Sequence, residues 1–221
     1  MIFEDRVDAG RQLAEALEHY KGQDVIVLAV PRGGVVVGYE VARALNAPLD
    51  VVIPRKIGAP GQPELAIGAV AIDEKPFLDH QMIHLLGVSQ EYIEAEVRRQ
   101  KEEIERRRKI YRGDRPFPKL KDKTVILVDD GIATGYTMMA AIHAIRRMQP
   151  SKLILAVPVA PPEAVSRLRP LVDELIVLET PEPFFSVGSW YEQFEQTTDE
   201  EVIELLKKAE TEHAASQQPP S

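Results

Sequence analysis

The chain of 221 residues contains no cysteine. Disulfide frameworks, thiolate metal sites and a cysteine nucleophile are thereby excluded, and the composition suits a reducing compartment. No apolar run approaches the roughly 20 residues of a membrane-spanning helix, so no membrane partner is expected. The opening MIFEDRVDAGRQL has early acids and no long apolar core, unlike a secretory leader, and a cytoplasmic location is the expectation. Positive charge is also short: 27 Lys and Arg stand against 35 Asp and Glu, a formal net charge of -8. A general nucleic-acid binder carries the opposite balance, so no nucleic-acid partner is expected and any anionic ligand must be met by a local site.

What the chain does have is a series of short, β-branched segments, apolar on both faces: DVIVLAV (24–30), LDVVI (49–53), TVILVD (124–129), KLILAV (152–157) and ELIVL (174–178). Strands of a parallel sheet covered on both sides read this way. Helical stretches lie between them, and alternating strands and helices imply right-handed crossovers and an α/β fold. At 221 residues one domain is expected, over residues 1–210, with a disordered tail at 211–221.

Ligands of such folds gather at the carboxyl ends of the strands. The segments that follow the strands here are PRGG, PRKIGAPGQPE, DDGIATG and PVAPP. DDGIATGYT sets two carboxylates, Asp129 and Asp130, before a glycine turn, two threonines and a helix start. A helix start with free N–H groups and hydroxyls suits a phosphate, whereas carboxylates accept from hydroxyls and lie close to cations. Together they describe a ligand with a phosphate beside a vicinal diol, a ribose 5-phosphate. PRGG adds Arg32, Gly33 and Gly34, suited to a second phosphate group that the backbone approaches closely. Arg55 and Lys56 bring further positive charge to the same edge.

VILVDDGIATGYT resembles the phosphoribosyl diphosphate (PRPP) signature of the type I phosphoribosyltransferases, and PRGG resembles their diphosphate loop. Strand and helix order from about residue 24 to 178 fits the same fold, and residues 29–70 look like a stand-alone group of predicted phosphoribosyltransferases. The resemblance implies transfer of ribose 5-phosphate from PRPP to a nucleobase-like or amine acceptor, with Mg2+ as cofactor, in a homodimer. It implies that Asp129 and Asp130 hold the ribose hydroxyls and, indirectly, the metal. Gly131, Ala133, Thr134, Gly135, Tyr136 and Thr137 belong to the 5-phosphate cradle, and Arg32, Gly33 and Gly34 to the diphosphate site. Arg55 and Lys56 are implied as catalytic helpers. The alternative is a PRPP-binding sensor or regulator that has lost transfer.

Ala133 stands where the 6-oxopurine members carry an aspartate, and PVAPPEA lacks a lysine for a 6-oxo group. Adenine-like, pyrimidine and unfamiliar acceptors stay open. A hood over the acceptor is expected at about 180–197, with Phe184, Phe185, Trp190 and Tyr191 as flat faces for a base or as a small satellite core. The segment 58–65, GAPGQPEL, has the punctuation of a mobile lid. A charged helical insertion is expected at about 76–115, since 13 of the 19 residues from Glu91 to Lys109 are charged. Its narrow stripe, Ile93, Val97, Ile104 and Tyr111, packs on the domain or on a second subunit, and the remainder, including Arg106 to Lys109, reads as a solvated face.

Overall fold

The computed structural model describes residues 3–73 and 75–217. Five strands, β1 (Val25–Ala29), β2 (Leu49–Val51), β6 (Thr124–Val128), β7 (Lys152–Val159) and β8 (Glu174–Glu179), form one parallel sheet in the order β2-β1-β6-β7-β8. The expected α/β sheet is therefore present, and the PRGG and DDGIATG segments follow its neighbouring strands β1 and β6. Val25 pairs with Thr124 and Ala29 with Val128, so both strands end at one level.

The side-chain alternation divides the sheet between two cores. Val25, Val27 and Ala29 of β1 enter one, and Ile26 and Leu28 the other. The first core is closed by α1 (Arg6–Ala16), α2 (Gly33–Leu45) and α7 (Asp199–Ser216), and the second by α5 (Tyr136–Arg147) and α6 (Pro162–Leu168). Both faces are covered, which is why the strands read as continuous apolar runs.

A second, antiparallel sheet, absent from the sequence-based expectation, consists of β3 (Arg55–Ala59), β4 (Gln62–Val70) and β5 (Phe77–Leu78). The lid expected at 58–65 is the tip of its β3–β4 hairpin and so has regular structure. The register shifts on both sides of Gly58, and a Cβ there would lie 2.5 Å from the Pro63 carbonyl oxygen. Glycine lets the two backbones approach at this bulge, and Gly61, at φ 72°, makes the turn.

The insertion opens on β5 before its helices α3 (His80–Leu86) and α4 (Gln90–Arg112), so it is only partly helical. Ser89 caps α4 by accepting from Tyr92 N–H, and the stripe Ile93, Val97, Ile104 and Tyr111 is buried as expected. Gln100 is buried in the same stripe. The basic cluster is not uniformly solvated: Arg106 and Arg107 hold Glu103, but Arg108 and Arg112 turn inward to Asp50 of β2, at 3.0 and 3.6 Å. Asp50 is buried, and it ties α4 to the edge strand of the main sheet. Asp50→Ala leaves two inward cations without their carboxylate, and a loss of about 3–5 kcal/mol is expected. Thermal denaturation reads this, and a change below about 1 kcal/mol would remove Asp50 from the account of how α4 is anchored.

The tail expected to be disordered from residue 211 is helical as far as Ser216. A capping box of Thr198 and Glu201 starts α7, and Tyr39 donates to Glu212 at 2.6 Å, holding the last turns against α2. Residues 218–221 of that expectation lie outside the described residues. No helix among the described residues is long and apolar enough to cross a membrane.

Candidate active site

The ends of β1 and β6 bring the two glycine segments into direct contact. Gly33 and Gly34 open α2, and a Cβ on Gly33 would lie 2.3 Å from Asp130 Oδ2, one on Gly34 2.9 Å from Asp129 Oδ1. The space behind PRGG is thus filled by the carboxylates, and any side chain at these glycines would displace them. The Pro31–Arg32 peptide is cis, and Arg32 occupies the N-cap position of α2.

Asp129 retains limited solvent contact but is densely surrounded by protein, and its Oδ1 accepts from Asp130 N–H at 2.8 Å. Burial first, and the adjacent Asp130 second, raise its carboxyl well above the usual range. Asp130 has a cationic partner: Arg6 Nε donates to its Oδ2 at 2.9 Å. The same guanidinium donates to Glu195 O at 2.7 Å and lies 3.9 Å from the centre of the Phe194 ring. Arg6 therefore joins the first turn of α1, the acid pair and the segment after the hood's aromatics. Nothing in its local sequence, EDRVD, signals this, because its partner is 124 residues away.

After the acids, Gly131 is buried, and a Cβ there would meet Val187 at 2.5 Å. Ala133 and Thr134 are exposed, and the Thr134 carbonyl accepts from Arg167. Gly135, at φ 90°, is the N-cap of α5 and supplies no side-chain cap, so the amides of Tyr136, Thr137 and Met138 open toward the loop without one. Only glycine adopts this backbone readily, which accounts for its place between Thr134 and Tyr136. The Tyr136 hydroxyl turns away to Asp79, 3.2 Å distant.

Thr137 also lines a cleft of about 440 Å³ with Arg55, Lys56, Tyr92, Arg99 and Gln100. The structure thus joins Arg55 and Lys56 to the start of α5. Lys56 lies 3.5 Å from Glu64, and Arg99 lies 2.8 Å from Glu96. Arg55 instead donates to the neutral Gln100 at 3.0 Å. Burial first, and then the like charge of Arg107, lower its proton affinity.

The four aromatics expected to form a hood do not stand alike. Tyr191 is 3% exposed, tilted against Phe3 and Phe194, and its hydroxyl donates to the Asp130 carbonyl at 2.6 Å. The expectation that it offers a flat face to a base is corrected: it is satellite core and fixes the backbone of the acid pair. Phe184 and Trp190 pack partly on the same cluster, and Phe185 is 82% exposed. No three potential metal-ligating side chains gather among the described residues.

With this geometry in view, residues 4–192 match the family model described as the phosphoribosyl transferase domain. The Mycobacterium tuberculosis protein named "Putative phosphoribosyl transferase Rv0571c" is 43% identical over 213 residues, which are 96% of this chain and 48% of that protein. MT0597, from another strain of the same organism, bears the same description and gives the same figures. The chain spans about half the length of the curated relatives it matches. The crystal structure of TT1426 from Thermus thermophilus is 44% identical and superposes with a TM-score of 0.81, covering 94% of this chain and 99% of that one.

Proposed function

Because this chain belongs to the phosphoribosyltransferase family, with the type I fold, we propose that it transfers ribose 5-phosphate from PRPP to a nucleobase-like or amine acceptor and releases diphosphate. The observation that carries the reading is the packing of Gly33 and Gly34 against Asp130 and Asp129, with the uncapped start of α5 just beyond. This packing supports a reading in which a diphosphate at the first segment and a ribose at the second are neighbours.

In this reading Asp129 and Asp130 accept from the ribose hydroxyls, and Ala133 to Thr137 receive the 5-phosphate on backbone N–H groups and hydroxyls. Arg32, Gly33 and Gly34 hold the diphosphate, and Arg55 and Lys56 add positive charge. The bond from the anomeric carbon to diphosphate breaks toward a cation-like sugar. Donors aimed at the departing oxygens lower that barrier, as does holding the acceptor nitrogen in line. The β3–β4 hairpin, whose outer residues 62–64 are exposed, is the segment suited to exclude water.

The donor set fits Mg2+, since Asp129 and Asp130 are hard oxygen donors and Asp129, unlike Asp130, makes no ion pair with Arg6. With only two carboxylates, most ligands would come from PRPP and water. When bound, Mg2+ neutralises charge on the diphosphate. For the acceptor, Phe185 is the most exposed ring of the expected hood, and Phe184 and Trp190 are partly exposed. Family membership also leads us to include a cytoplasmic homodimer, its mass to be read by light scattering.

Diphosphate release from PRPP and Mg2+, with pooled nucleobases and small amines, is the test, and Asp130→Asn is its control. Acceptor-dependent release that falls at least about tenfold in the variant is expected. Tight PRPP binding by Asp130→Asn would sink the ribose assignment. PRPP binding without release in any pool would turn the reading to a sensor.

A further inference from the structure

We propose that Gln100 is a positioning residue that aims Arg55 into the cleft beside Thr137 while holding it with a neutral amide instead of a carboxylate, so that α4 completes a site for a phosphoryl anion. The proposal rests on the reading that this edge of the sheet binds PRPP. Gln100 belongs to the buried stripe by which α4 packs on the domain, and it is one of only four buried polar or charged residues among those described. An amide at a position otherwise suited to an aliphatic side chain needs a partner, and the partner is Arg55 Nε at 3.0 Å. Bonding at Nε fixes the plane of the guanidinium and leaves the fork of terminal N–H groups for the cleft.

The charge pattern around the cleft gives the position its meaning. Lys56 has Glu64, Arg99 has Glu96, and Arg106 and Arg107 share Glu103. Arg55 alone in this group is held by a neutral acceptor; Arg107, Arg106 and Arg99 act on it as like charges, which Glu103 offsets only in part. A partly buried cation in such a field is unfavourable for folding. Glutamate at position 100 would relieve it, because a carboxylate keeps the acceptor and adds the missing charge. An amide keeps the guanidinium in place and available to an incoming anion, and Thr137 in the same cleft marks where that anion lies. The anion is the diphosphate or the 5-phosphate of the ligand, two sources of one chemistry.

The unsubstituted 221-residue chain, R55A, Q100E and Q100L would be titrated calorimetrically with inorganic diphosphate plus Mg2+ and, separately, with ribose 5-phosphate. Melting temperatures would be recorded for all four. R55A and Q100E are each expected to weaken at least one probe about tenfold or more. The probe affected identifies the end of PRPP that the cleft serves. Q100E should melt at or above the wild-type temperature, which separates lost function from lost structure, whereas Q100L should lose both affinity and stability. If R55A loses affinity and Q100E retains it, Gln100 is packing and the proposal is overturned. If R55A binds both probes normally, the role of Arg55 falls, and if the wild type binds neither probe, the PRPP reading falls with it.

Discussion

Gly33→Ala is expected to reduce PRPP affinity by about a hundredfold while the protein remains folded. The added methyl would lie 2.3 Å from Asp130 Oδ2 and 2.5 Å from Arg6 Nε, well inside contact distance. Something must shift, and the movable elements are the carboxylate, the guanidinium and the opening turn of α2. Overpacking of this kind costs about 1–3 kcal/mol of stability, which a protein of this size tolerates. On the proposed reading binding is less tolerant, because the same displacement moves Asp130 and the PRGG segment relative to each other. A PRPP titration beside a melting curve measures both effects. Affinity within about threefold of wild type would mean that the contact between the two segments does not shape the site.

The second large effect joins a gain to a loss. Asp129→Asn is expected to melt higher than the wild type at neutral pH and to bind PRPP about tenfold or more weakly. The carboxyl of Asp129 is raised above its unfolded value by burial and by Asp130. Between those two pKa values the folded state holds a proton that the unfolded state has released, so stability falls as pH rises through the window. At neutral pH the folded chain therefore carries a carboxylate, or a trapped proton, at a net cost that the amide removes. The asparagine still accepts from Asp130 N–H, which preserves the loop. Melting curves for both proteins should converge toward acid pH, below the unfolded carboxylate range. A variant less stable at every pH would show that the carboxylate is structural, not held in readiness for a ligand.

The parts legible in the sequence were those whose cause is local. β1 and β6 are buried on both faces, so period and composition identified them, and each phosphate-type segment is contiguous. The positions of Gly33, Gly34, Asp129 and Asp130 just after strand ends could thus be read from the sequence. The β3–β4 hairpin was obscured because Gly58, Pro60, Gly61 and Pro63 all read as loop residues, although the turn itself falls at Pro60 and Gly61. A bulge at Gly58 absorbs the rest of that irregularity, and bulges follow from pairing with a partner, not from local propensity. Arg6 and Gln100 were invisible for a different reason. An arginine in a charged opening turn and a glutamine in a charged helix are ordinary surface residues until long-range packing turns them inward. Which of its two expected roles Tyr191 takes was undecided in the sequence for the same reason, since burial against Phe3 depends on a segment almost the whole chain away.

That last contact bears on when the site can exist at all. Phe3 pairs with Tyr191 in an isolated parallel bridge, Glu192 N–H donates to Phe3 O at 2.9 Å, and Gln193 N–H donates to Glu4 O at 2.9 Å. On a ribosome, both phosphate-type segments are complete once residue 137 has emerged. The groups that fix Asp130 are not: Phe194 and Glu195, which seat Arg6, and Tyr191, which holds the Asp130 carbonyl, are made more than 50 residues later. Joining the ends is also the step with the largest loop-closure entropy, which places it late in refolding. A nascent chain would display the ligand motifs without a competent acid pair, and activity would appear only when the two distant stretches meet.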